Sequence, residues 1–221
     1  MAGIESLTFD LTGCSLREQS RSHRGWMNAA HVAHMLRFHL GPPDWPFDLT
    51  KPAEAGELYR KQCADNGGVM LAMEITTAAG VEALRGLFKY RAPVPRSLAM
   101  YYVGILWLPF QECLFQVNIE AMEAGTTGTR EAAVMLIEGD RWPKPPADTP
   151  PVVLQSAEEL FKRLGSAPVR QLPSDDERYD ALVPDHPLSQ VRARLTDVVA
   201  SAQFEPHTGR LTPFRVQRGR R

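Results

Sequence analysis

The chain has 221 residues, of which 43% are hydrophobic and 23% charged, and its formal net charge is −1. That balance excludes a wholly disordered chain and a strongly basic duplex-binding surface, and the length is enough for one substantial core. Three widely separated cysteines, Cys14, Cys63 and Cys113, form no C-x-x-C pair, so neither a disulfide scaffold nor a zinc ribbon is indicated and a reducing, cytoplasmic setting is expected.

The first residues show no basic segment followed by an apolar run, so no secretory signal is expected. The longest apolar run, Leu98 to Phe110, is short of the roughly 20 residues that cross a bilayer. Leu7, Phe9 and Leu11 alternate with polar residues and predict a half-buried strand over 6–12. Residues 13–25 are polar and basic without a clear period. A second strand over 35–40 is stopped by Gly41-Pro42-Pro43, and the prolines continue into a rigid loop over 42–47.

Pro52 to Asp65 reads as a helix with Ala55, Leu58, Tyr59 and Cys63 near one face and Asn66-Gly67-Gly68 as its stop. A hairpin follows. Val69, Leu71, Met73 and Ile75 alternate up to a turn at Ala78-Ala79-Gly80, and the return arm sets Leu84, Gly86, Phe88 and Tyr90 against Arg85, Lys89 and Arg91. Met100 to Leu108 is apolar on both faces and belongs at the centre of the sheet. Its partner carries one apolar row, Cys113, Phe115, Val117, Ile119 and Ala121, and one polar row, Glu112, Gln116, Asn118 and Glu120. Trp107 and Phe115, both in apolar rows of adjacent strands, are expected in one core.

Beyond Gly125-Thr126-Thr127-Gly128-Thr129 a short helix runs from Arg130 to Ile137, followed by a proline-rich connector over 142–151. Ser156-Ala157-Glu158-Glu159 has capping-box spacing and opens a helix to about Leu164. A last helix starts at Pro187 with Leu188, Val191, Leu195, Val198 and Val199 as its inward stripe. Residues 205–221 form a basic tail expected to be flexible. The fold class is α+β: an antiparallel sheet of four to six strands with helices packed on it and a C-terminal helical segment, in a single domain over 1–204.

Two places carry candidate chemistry. The turn Thr126, Thr127, Gly128, Thr129 and Arg130 joins a strand to a helix, so backbone N–H groups, the helix dipole, hydroxyls and a guanidinium suit an anion there. The same residues suit plain helix capping by Thr127 or Thr129. Lacking the lysine of a Walker loop and the third glycine of a dinucleotide fingerprint, the turn matches neither motif. The second place is Gln116, Asn118 and Glu120, which share one strand face and line a groove for a polar ligand or form a solvated surface. Glu112 and Glu120 are about 27 Å apart at ~3.4 Å per residue, too far to act as a glycosidase pair.

No metal site is called for: a helix through His31 and His34 would align them, but His39 falls on the following strand and no cysteine or carboxylate completes the set. No cofactor is indicated. No serine stands in a G-x-S-x-G elbow, and Cys113 belongs to an apolar row. The pattern favours a non-catalytic soluble binding or interaction module of the adaptor, chaperone or immunity type, with a protein partner, no membrane, and nucleic acid touched only weakly through the basic tail. The alternative is an enzyme acting on an anionic small molecule held at Thr126–Arg130, with Glu120 or a histidine as base. Glu120, Arg130 and His186 converging on one concave site would favour the enzyme, and their dispersion the binding module.

Overall fold

The computed structural model describes residues 2–143, 156–208 and 210–216. Its strands are β1 (Leu7–Thr8), β2 (Cys14–Gln19), β3 (His23–Asn28), β4 (Ala33–Leu40), β5 (Val69–Ala78), β6 (Val81–Arg91), β7 (Met100–Pro109), β8 (Cys113–Met122) and β9 (Gln203–Phe204). Its helices are α1 (Pro52–Asp65), α2 (Thr129–Glu138), α3 (Ala157–Ser166) and α4 (Pro187–Ser201). Most of the proline connector over 142–151 lies outside the described residues. Among those described, no helix is long and apolar enough to cross a membrane.

The α+β class is as expected, and the sheet is larger than the pattern suggested. Seven antiparallel strands run in the order β2-β3-β4-β8-β7-β6-β5, and β1 pairs with β9 in a separate two-stranded piece. The extra strands come from residues 13–28. β2 is an edge strand, exposed along nearly all its length, so no core enforces alternation, and a register shift between Leu16 and Glu18 breaks the period further. The strand expected over 6–12 shrinks to two paired residues, Leu7↔Phe204 and Thr8↔Gln203.

Period two divides the sheet into two faces. On one, Leu36, Phe38, Leu87, Tyr102, Leu106, Phe115, Val117 and Ile119 meet Leu188, Val191, Leu195 and Val198 of α4. Gly104 makes that approach possible, because a Cβ there would stand 3.0 Å from both Val191 Cγ1 and Leu195 Cδ2. On the other face, Leu84, Phe88, Val103 and Trp107 are covered by Ala55 and Cys63 of α1 and by Phe47 and Leu49 of the loop before it.

Trp107 and Phe115 therefore occupy opposite cores. The register sets Trp107 against Gln116 and Phe115 against Leu108, a one-residue offset that puts the two rings on different sides of the sheet. The polar row is also less wet than its composition implies. Asn118 is buried, and Gln116 and Glu120 are half-buried on the α1 face.

Within the basic segment after Glu205, Thr212 to Arg215 lie against the β7–β8 turn. Phe214 is buried against Trp45, with ring centroids 5.9 Å apart, and the Phe214 and Gln111 amides donate to Pro109 O and Thr212 O. Among its described residues Leu211 and Phe214 are the large apolar side chains that reach the core, so its arginine-rich composition hides the docking.

Candidate functional site

Where α1 and its preceding loop lean over β6–β8, they leave a cavity of about 460 Å³. Trp45, Tyr59, Phe88, Tyr90 and Trp107 wall it, with Gln116 in its floor and Gln62 at its mouth. The rings brace one another. Tyr59 and Trp107 centroids are 4.7 Å apart, and Trp45 meets Tyr59 and Trp107 edge-on at 6.4 and 6.5 Å.

A directed chain of hydrogen bonds fixes the polar floor. Trp107 Nε1–H can only donate, and it gives its proton to Gln116 Oε1 at 3.1 Å. Gln116 Nε2 then donates to Asn118 Oδ1 at 2.7 Å, and Asn118 Nδ2 donates to Glu120 Oε1 at 2.9 Å. The Tyr101 hydroxyl donates to the other Glu120 oxygen. Every amide in the row thus has one allowed orientation, and the floor is preorganised. The three residues named from the sequence as groove-lining fall in this chain, of which Gln116 lines the cavity itself.

Around the cavity, burial favours the neutral forms of the phenols and the thiol. Burial pushes the Tyr59 phenol up to about 12 against an opposing hydrogen bond with Trp45. Burial also raises Tyr90 and Cys63, and it raises Tyr101 together with the neighbouring Glu120 carboxylate.

The turn at 126–130 lies on the opposite side of the sheet. Gly128, at φ 74°, is the N-cap of α2, and no side chain caps it. Its amide instead points at Glu123 Oε1, 3.4 Å away, so a carboxylate of the chain itself meets the start of the helix. Arg130 points inward and is fully buried. Its guanidinium donates to Ser174 O, to Ser189 Oγ at 2.7 Å, to Asp176 O at 2.9 Å and to Asp180 at 2.8 Å. Thr127 and Gly128 border a cavity of about 550 Å³, whereas Thr126 and Thr129 border another of about 370 Å³ on the other side of the turn.

Beside this turn lies a buried charged cluster that no sequence spacing announces. Lys89, 2% exposed, bonds Asp175 at 2.9 and 3.1 Å and stands 3.6 Å from Glu131 Oε1. His186 Nε2 is 3.2 Å from Glu123 Oε1, and Glu123 Oε2 accepts the Met100 amide at 2.8 Å. Ligand atoms of Glu123, Glu131 and His186 all fall within 4.8 Å of one another, an assortment that suits a metal ion by type. The imidazole is committed elsewhere. The Leu188 amide donates to Nδ1 at 3.2 Å, so the ring proton is on Nε2 and directed at Glu123, leaving no lone pair for a metal. These residues come from β6, the position just after β8, α2, the segment between α3 and α4, and the start of α4, and only the assembled fold brings them together.

The histidines weighed from the sequence do not converge. His31 is exposed in the β3–β4 turn at φ 60°, His34 is buried on the α4 face, and His39 is exposed on the other. Glu120 is separated by the thickness of the sheet from Arg130 and His186. No known protein family and no curated protein matches this chain.

Proposed function

We propose that the protein is a non-catalytic binding module that takes a small, flat, mostly apolar molecule with a hydrogen-bonding end in the groove between α1 and the sheet. The observation that carries this reading is the fixed orientation of Gln116, which lines an aromatic cavity of about 460 Å³ and is held between Trp107 on one side and the Asn118–Glu120 end of a hydrogen-bonded row on the other. Two further facts support binding over catalysis. The tyrosines and the thiol around the groove are kept neutral, which suits hydrogen bonding and not nucleophilic attack. Glu120, Arg130 and His186 are dispersed over both faces and form no common site.

The test is a titration of the full chain with N-phenyl-1-naphthylamine, a neutral aromatic dye that brightens on leaving water. Saturable one-site binding is expected, and Gln62→Trp, which blocks the exposed mouth, should abolish it without changing Tm. Dye binding that ignores Gln62→Trp, or no saturable binding, would overturn the reading. Inorganic phosphate is the contrast: a saturable rise of Tm lost in Thr127→Ala would point instead to an enzyme or binder of anions at 126–130.

A further inference from the structure

The groove under α1 has a one-sided chemistry. Among the described residues that line it, Asp44 is the charged one, exposed to solvent, and no lysine or arginine takes part. Arg37, opposite Gln116 in register on β4, directs its Nε to Met35 Sδ at 3.1 Å, and Met35 faces Asn118, so this guanidinium leans along the row and away from the cavity. The rings that wall the cavity are not one stack. Trp45 stands at 86° to Tyr59 and at 81° to Trp107, and Phe88 stands at 84° to Trp107, so ring planes bound the space from different sides.

An aromatic face carries the negative side of the ring quadrupole and attracts cations. The polar groups present decide which kind. The floor offers an amide, not a carboxylate: Gln116 Oε1 already accepts from Trp107 and Nε2 already donates to Asn118, which leaves one lone pair and one N–H. That pair suits a neutral hydroxyl or carbonyl. A primary ammonium would give up three hydrogen bonds to water in exchange for ring faces, whereas a quaternary ammonium has none to give up and buries its methyl groups. We propose that the groove binds a quaternary ammonium carried on a flat body, with the methylated nitrogen against the aromatic walls, the hydrogen-bonding end at Gln116 and the charge complemented by Asp44. This names the ligand class of the groove described above and rests on that reading.

Two probes of one shape separate charge from fit: 3-hydroxyphenyltrimethylammonium, and 3-tert-butylphenol, in which carbon replaces the charged nitrogen. Titration calorimetry of the full chain at mildly acidic pH, where both hydroxyls keep their protons, should show the cation bound about 3- to 30-fold more tightly. Asp44→Asn, at an exposed carboxylate, should weaken the cation and leave the neutral probe unchanged. Trp45→Leu keeps an apolar wall but removes a ring face, and should narrow the gap between the two probes. Equal or tighter binding of 3-tert-butylphenol, a preference that survives both variants, or tighter binding of the primary ammonium 3-(aminomethyl)phenol would overturn the proposal while leaving the groove a site for neutral molecules. If neither these probes nor N-phenyl-1-naphthylamine bound saturably, the groove itself would fall as a binding site, and the proposal with it.

Discussion

Arg130 shows how far a residue's role depends on direction. At the first turn of α2 it was a candidate anion ligand, yet its side chain runs under the helix and ties α2 to Ser174, Asp176 and Asp180 and to Ser189 on α4. Arg130→Ala strips the partner from buried acceptors and should cost about 3–5 kcal/mol by urea unfolding. Arg130→Lys should recover little, because one ammonium cannot reach acceptors arranged around a planar fork; a lysine variant as stable as the parent would refute this role. Glu123 is the second joint. Burial pushes its carboxyl up, but the His186 bond and the Met100 and Gly128 amides outweigh that and hold it below the ordinary 4.5. A carboxyl with a depressed folded value contributes stability that is complete above the unfolded value and is lost as pH falls through the folded one. Glu123→Gln should therefore be less stable than the parent by about 1–3 kcal/mol at pH 7, and the gap should close as unfolding is measured below pH 4.5. A gap independent of pH would mean that the carboxylate charge is not what these donors need.

At the scale of elements, the docked C-terminal segment makes the next prediction. Phe214 closes the outer side of the aromatic cluster by packing edge-on to Trp45, while the Thr212 amide donates to Glu112 at 3.0 Å. Phe214→Ala should cost about 3–5 kcal/mol and shift the tryptophan emission to the red, since Trp45 loses its cover. Unchanged emission and Tm would show that the segment adds nothing to the core. This contact was hidden in a basic stretch, whereas the four helices and β5–β8 were legible almost to their ends. The difference is physical. Pro52 and Pro187 start their helices, the Ser156 hydroxyl accepts the Glu159 amide, and strands buried on one side must alternate. β2 obeys no such pressure. The polar row on β8 was legible as a face, but its hydrogen-bonded order needed Trp107, whose place opposite Gln116 depends on register. The Lys89 cluster was illegible because its members share no local spacing.

For the whole molecule, the sheet works as a partition. Aromatic rings and the polar row ending at Glu120 occupy one side, and the buried Lys89–Asp175 and Arg130–Asp180 pairs occupy the other, with the strands between them. The order of those strands carries one more consequence. From β5 to β8 each strand pairs with its neighbour in the chain, joined by short connections, whereas Leu36 of β4 meets Val117 of β8 only after α1 and the whole meander have been laid down. Closing that long loop is slower than closing a hairpin, so the meander assembles first and β4 arrives late. Until it does, β8 stands at the border of an unfinished sheet with Phe115, Val117 and Ile119 beside unpaired backbone, and the nearest substitute for β4 is a strand from another copy. Concentration during folding, more than the stability of the finished protein, then decides how much of the chain reaches its native state.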